Sequence, residues 1–284
     1  MTEHPHAPGR PSGPSSGALD PAPRDATPRS VDERNRRLAR AGVARAEELL
    51  VKRYPIPTRE EAFDLLRRTS QKFNVKLHTL ADVAVRLPAP AAGAPTWVPH
   101  RPQGAAPALP ALRSGPERLT GHGAVLKAAL RHSLHVADAP MGNVQLVENG
   151  LLRLEEHTGL NRRFTEYFAF VEDSTTACAR AAEERRQVTV KDIAASDIFD
   201  EPSREAILQA GSRACHSIPL ISPRGRVMGM ISTHHEKPLS DFSVAQLAAL
   251  HHVGGQVGRW LLWHRNTAVL GALNALHADA THGG

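Results

Sequence analysis

Apolar residues recur along this chain with two different periods. In SVDERNRRLARAGVARAEELLVKRY, Leu38, Ala46, Leu49 and Leu50 form a thin helical stripe, and Ser30 with Glu33 has the spacing of a capping box. Pro55-Ile56-Pro57 ends that helix. Thr58 with Glu61 repeats the capping spacing, and Ala62, Phe63, Leu66 and Thr69 or Ser70 predict the inner face of a second helix, to about Lys72. Asn74 reads as the N-cap of a third, with Leu77, Leu80, Ala81 and Ala84 turned inward. Three helices in under 60 residues bury little apolar surface alone, so a partner or a homodimer is expected.

Farther along, the period falls to two. MGNVQLVENGLLRLEEHTG reads as a hairpin turning at Glu148-Asn149-Gly150, where Asn-Gly supplies the positive φ of a tight turn. SRACHSIPLISPRGRVMGMISTHH reads as a second, joined at Pro223 to Gly225. Between them lie helical segments at Asn161 to Phe170 and Thr175 to Glu184, then a short strand in QVTVKDI. Helices bracket the whole, one over about 120–137 and a long one from the cap Ser240 through Leu247, Leu250, Val253, Val257 and Leu261. The pattern predicts an α+β domain, an antiparallel sheet flanked by helices, behind a small all-α three-helix bundle.

Prolines set the divisions, with 7 in residues 1–30 and 8 between Pro88 and Pro116. The expected order is a disordered arm (1–30), the three-helix domain (31–88), an extended Pro/Ala-rich linker (89–116), the α+β domain (117–268) and a C-terminal tail (269–284). There is no internal repeat.

Charge changes this picture at one place. Residues 31–90 hold 13 Lys and Arg against 8 Asp and Glu, whereas the rest of the chain is nearly balanced. The excess points to an anionic partner there. Catalysis finds no comparable support: Cys215 and His216, like His234 and His235, are strand neighbours that point to opposite faces, and no phosphate-binding Gly loop, nucleophile elbow or paired metal-ligand motif is present. Two cysteines, Cys178 and Cys215, make no disulfide framework. The reading is a protein without catalytic residues or a metal site, with no cofactor identified. An N-terminus without a signal-peptide core and a chain without a long apolar run place it in the cytoplasm, away from membranes.

The basic excess has a geometry. With Phe63, Leu66 and Ser70 inward, Arg67, Arg68, Gln71 and Lys72 lie on the outer side or end of the second helix, and Asn74 and Lys76 lie at the turn beyond. Arg and Lys there suit a phosphate backbone, while Gln and Asn suit base edges. A solvated helix end is the alternative.

The run RAEELLVKRYPIPTREEAFDLLRRTSQKFNVKLHTLADVAV resembles the ANTAR domain, a three-helix RNA-binding module of bacterial transcription antitermination regulators. The match rests on Ala46, Leu49, Glu61-Ala62-Phe63, Leu66-Arg67, Ser70, Asn74, Lys76-Leu77 and Ala84. The resemblance implies RNA contact through Arg67, Arg68, Ser70, Gln71, Lys72, Asn74 and Lys76, on a leader transcript with two hairpins. Where the family commonly has Lys-Gly, this sequence has Glu47-Glu48, which predicts a smaller part for the first helix. GNVQLVENGLLRLEEHTGL, EDSTTACARAAEERRQVTVKDI and GSRACHSIPLISPRGRVMGMISTH resemble a GAF domain, a small-molecule sensing and dimerising module. If the domain holds a ligand pocket, Phe164, Tyr167, Phe168 and Cys178 would line it, the alternative for these residues being a packed core. The resulting expectation is a signal-responsive antitermination regulator, the alternative being a GAF sensor that acts through protein partners without RNA. A GAF enzyme reducing oxidised methionine would need several well-placed cysteines.

Overall fold

The prolines after Tyr54 separate α1 (Pro28–Arg53) from α2 (Arg59–Phe73), which a short turn joins to α3 (Leu77–Arg86). The computed structural model describes residues 28–99, 104–112, 119, 121–171 and 176–282, so the expected arm before residue 28 and the side chain of the expected Ser30 cap lie outside the described residues. Thr58 Oγ1 accepts from the Glu61 backbone N–H at 3.2 Å, as the spacing predicts. Ala62, Leu65, Leu66 and Thr69 form the buried stripe of α2. Phe63, expected inside, stands one residue round the helix from that stripe and is 37% exposed.

Asn74 is not the cap of α3. It ends α2 in the left-handed conformation (φ 50°), its N–H bonding to Gln71 O while Val75 N–H bonds to Ser70 O. That closure uses the tolerance of Asn for αL and consumes the residue before α3 begins.

The expected C-terminal tail is a helix, α9 (Leu270–His282), and it completes the bundle. Ala272, Leu273, Leu276 and Ala280 are buried with Ala46, Leu50, Leu66, Leu80 and Ala84 in one core. Each fully buried leucine stabilises by ~1.5–3 kcal/mol. The partner that three short helices require is thus the chain's own C-terminus. His277 ties it down: its Nε2–H donates to Ala94 O at 2.8 Å, leaving Nδ1 to accept from the Tyr54 hydroxyl at 2.7 Å. Trp97, 4% exposed, packs beside both rings, with the Arg53 guanidinium 4.5 Å from its ring centroid. The expected extended linker is therefore anchored, at Trp97 in the bundle and at Leu109 and Leu112 in the second domain's core.

That domain is one antiparallel sheet of β1 (Met141–Glu148), β2 (Leu151–Thr158), β3 (Phe170–Val171), β4 (Val188–Val190), β5 (Ala214–Ile221) and β6 (Val227–His235), in the order β3-β2-β1-β6-β5-β4. Both predicted hairpins are present, and Asn149 (φ 50°) and Gly150 (φ 83°) turn the first. On one face lie α4 (His122–Ala137) and α8 (Val244–His264) over Val144, Ile218, Leu220 and Ile231. Gly254 and Gly258 let α8 touch β5, since a Cβ at either would come within 2.5 Å of a β5 carbonyl oxygen. The cap of α8 is Ser243 rather than the expected Ser240, because Leu239 N–H is held by Lys191 O and Ser243 forms a reciprocal cap with Gln246. The other face carries α5 (Arg162–Tyr167), α6 (Ala177–Glu184) and α7 (Glu201–Gln209). The sequence reading missed α7, whose cap is Asp200, bonded to Ser203 N–H. A π-helical turn, Arg265–Val269, runs α8 on into α9.

Candidate functional site

Successive turns of α2 set the basic corner. Arg67, Gln71 and Asn74 follow one another along one side of the helix, with Arg68 and Lys72 on the adjoining row. All five are exposed. Arg67 pairs with Asp64 at 3.0 Å, both about half exposed, an arrangement worth at most ~1 kcal/mol and readily exchanged for another anion. Ser70 has a structural role: its half-buried hydroxyl donates to Val75 O at 2.6 Å and closes the turn. Lys76, at the start of α3, is ion-paired with Glu155 of β2, whose side chain is only 2% exposed. The acidic pair sits elsewhere: Glu48 pairs with Arg59 at the start of α2, ~20 Å along the helix from Asn74, and partial burial raises Glu47 above the usual carboxylate range.

The corner faces the second domain across a cleft of about 400 Å³. Ser70, Gln71, Asn74 and Lys76 line one wall, and Gly121, His122 and Gly123 of the α4 start, with His264 of the α8 end, line the other. Beside it α3 is fastened to the first hairpin. His78 Nδ1 lies 2.7 Å from Glu148 Oε1, and its Nε2 lies 3.5 Å from Glu155 Oε1. Arg153 reaches Glu148 at 3.3 Å. Burial alone would raise Glu148, but the His78 hydrogen bond, the His78 charge and Arg153 outweigh it and hold the carboxyl below its usual range. Asp82, 5% exposed, accepts from Asn149 N–H at 3.2 Å and lies 3.7 Å from Arg86, while burial raises its carboxyl despite that cation. The sequence reading missed these groups. Its one available signal was polar His78 and Asp82 set among the buried positions of α3.

A second fastening joins the candidate ligand pocket to the bundle. Arg34 Nη2 of α1 donates to Tyr167 O at 3.0 Å, and Asn35 donates to Glu166 O, both on α5. Phe164, Tyr167, Phe168 and Cys178 lie in or against the hydrophobic core over one sheet face. Phe164 and Phe168 rings lie 4.6 Å apart, Phe164 meets His234 edge-on at 5.1 Å, the Tyr167 hydroxyl lies 3.3 Å from Ser203 Oγ, and Cys178 Sγ lies 3.0 Å from Ser232 Oγ. Beneath them the strands carry Asn143, Gln145, Ser217, Ser232 and His234, all buried. Such polar positions in a sheet centre need partners. His234 has Ser212 Oγ at 3.0 Å and Asn143 Oδ1 at 3.2 Å; Gln145 Nε2 donates to Phe168 O at 3.1 Å, while its Oε1 has no partner. Burial brings His234 down to about 3, so the ring is neutral. Burial also pushes both thiols, Cys178 and Cys215, up, which keeps them protonated.

Among the described residues no group of three or more His, Cys, Asp or Glu is arranged to hold a metal ion, and no helix is long and apolar enough to cross a membrane.

Comparison with known families matches residues 34–83 to the ANTAR domain and residues 122–261 to the GAF domain. No curated protein matches the chain. Among solved structures it is similar to the GAF domain/HD domain protein from Geobacter sulfurreducens, at 16% identity over 53% of this chain and 98% of that one, with a TM-score of 0.45. The GAF domain from Acinetobacter phosphoenolpyruvate-protein phosphotransferase is similar at 14% identity over 71% of this chain and 93% of that one, TM-score 0.42. Free methionine-R-sulfoxide reductase from Neisseria meningitidis is similar at 17% identity over 50% of this chain and 78% of that one, TM-score 0.40.

Proposed function

From a chain in which an RNA-binding ANTAR domain precedes a sensory GAF domain, we propose a signal-responsive transcription antitermination regulator. Its ANTAR helices bind a structured leader RNA with two hairpins and so hold the transcript out of its terminator fold. The observation that carries this reading is the exposed row of Arg67, Arg68, Gln71, Lys72 and Asn74 at one corner of the bundle. Guanidinium and ammonium groups there neutralise phosphates, the amides offer donors and acceptors to unpaired bases, and the acidic Glu47 and Glu48 stand at the far end of α2. Ser70 serves by fixing the turn and Lys76 by marking its edge.

The GAF domain takes a small molecule over the face covered by Phe164, Tyr167, Phe168 and Cys178, and the α1 contacts to Tyr167 and Glu166 give that face a mechanical route to the bundle. Two copies acting as a homodimer present two corners to two hairpins, which raises affinity through effective concentration without new contacts. The protein works in the cytoplasm on nascent transcripts, its helices of 31–88 being completed by Trp97 and α9 and its sheet domain lying within 117–268.

A mobility-shift titration against a pool of two-hairpin RNAs with randomised loops, beside a duplex DNA of equal charge, tests the reading. The expected result is tighter binding to RNA. Replacing Arg67 and Arg68 together by Ala lowers the slope of log K against log salt by about 1.4, the contribution of two single-strand phosphate contacts. Equal, salt-labile binding to both nucleic acids, with an unchanged slope in the variant, refutes it.

A further inference from the structure

The cleft between the two domains has features that a charged corner does not need. Trp260 of α8 is buried, and His264 stacks on it with ring centroids 5.1 Å apart and planes 16° from parallel. His122 packs at a tilt against both rings, 5.1 Å from His264 at 32° and 6.5 Å from Trp260 at 34°. Both imidazoles line the cleft, so this three-ring cluster gives it an aromatic wall. On the opposite wall stand the amides of Gln71 and Asn74, each with a donor and an acceptor. Asn74 reaches well across: a Cβ built on Gly121 would stand 3.8 Å from Asn74 Nδ2. An aromatic platform of two mutually tilted imidazoles facing a pair of amides, in a space of about 400 Å³, suits one planar heteroaromatic ring, held by ring contact and edge hydrogen bonds.

The geometry points to a nucleobase site: the interdomain cleft takes one unpaired base of the bound RNA loop, packed against the His122 and His264 rings and read by Gln71 and Asn74. This rests on the RNA-binding reading above and extends it, because half of the recognition surface then belongs to the GAF domain. The base, rather than its phosphate, enters. Glu156 lies beside Gly123 at the start of α4, where a Cβ would meet its carboxylate at 3.8 Å, and Lys76 is already engaged by Glu155. The platform is neutral as well: burial and the neighbouring His264 bring His122 down to about 3, and burial lowers His264. The phosphates on either side of the flipped base remain outside, where Arg67 lies one helical turn from Gln71 and Arg68 and Lys72 follow the adjoining row. Stacking supplies affinity here and the amides supply choice of base.

The test uses the full chain and an RNA enriched on it from the randomised two-hairpin pool, resynthesised with 2-aminopurine at each loop purine in turn. Two variants remove the two halves of the site. Asn74→Gly deletes the amide while keeping a residue suited to the left-handed φ of 50°, and His264→Leu deletes the ring while keeping apolar bulk. The expected result is that fluorescence at one loop position changes on binding to the wild-type protein and not to either variant. Each variant binds roughly 5- to 150-fold more weakly, the loss of one stacked base, with an unchanged salt slope because no charge is removed. If His264→Leu fails to fold by circular dichroism, Asn74→Gly carries the test alone. Wild-type affinity in Asn74→Gly, with no loop position responding and the Arg67/Arg68 variant still weakened, overturns the cleft site and leaves the RNA reading standing. Failure of the pool to enrich any RNA over duplex DNA overturns both.

Discussion

The two halves of this molecule are built in opposite ways. The sheet domain draws its strands and covering helices from one continuous stretch, 122–264, with β1–β2 and β5–β6 joined by tight turns at Asn149-Gly150 and Gly225. The helical bundle is assembled from three distant pieces: α1 to α3, Trp97 in the linker and α9 at the far end of the chain. A contiguous domain can close its own core. A bundle closed by α9 folds only when the rest of the chain delivers that helix, so its stability depends on the sheet domain, from which α8 runs on through Arg265–Val269. The helical half is therefore the dependent half.

The strongest way to break this contrast is Leu273→Ala. The side chain is fully buried in the bundle core, and its truncation costs about 2–5 kcal/mol. Native-state hydrogen exchange is expected to show faster opening of α2 and α3 amides while β5 and β6 stay protected. Equal acceleration in both halves would mean that they form one cooperative unit.

Acid should act on the other half. His216 and His234 are buried in the sheet, His216 held by Thr189 and Gln187 at 2.7 Å each, and burial brings them down to about 4 and about 3. Both are neutral when folded, while the unfolded chain takes up protons at its ordinary imidazole value near 6.5, so the unfolded state binds more protons between these values. Stability is thus full above pH ~6.5 and falls as pH drops, by up to ~1.4 kcal/mol per unit for each ring. Urea titrations at pH 7 and 4.5 with a fluorescence or exchange probe in β5 measure it, and pH-independent stability of the sheet refutes the assignment.

Lys76→Met sharpens the comparison at its seam. Glu155 loses its nearest cation but keeps His78 at 3.5 Å and Arg153 at 3.7 Å, so the expected cost is about 1 kcal/mol. The shift of the urea midpoint in the full chain reads it. A loss above about 3 kcal/mol would show that neither remaining cation compensates.

Much of this was legible in the residues. Period-two stretches around Asn149-Gly150 and Gly225 gave both long hairpins, because a half-buried strand writes its two faces into alternate positions. The corner residues were legible too, since helical spacing alone puts Arg67, Gln71 and Asn74 in line. Capping sites were less secure, as several residues near a helix start can serve: Asn74 closed α2 instead of opening α3, and Ser243 displaced Ser240. Helix α9 has a stripe of its own in Ala272, Leu273, Leu276 and Ala280. Nothing local says which surface that stripe covers.

The sequence by itself determined both hairpins, the helices other than α7 and α9, and the basic corner, because periodicity, charge and motif spacing are properties of neighbours along the chain. Only the tertiary structure decided that the C-terminus completes the bundle, that Lys76, His78 and Asp82 grip the first hairpin, and that His122 and His264, 142 residues apart, meet on one wall of a cleft opposite Asn74. Those pairings join residues with no shared period, and the free energy that selects them comes from burial and charge across the whole molecule.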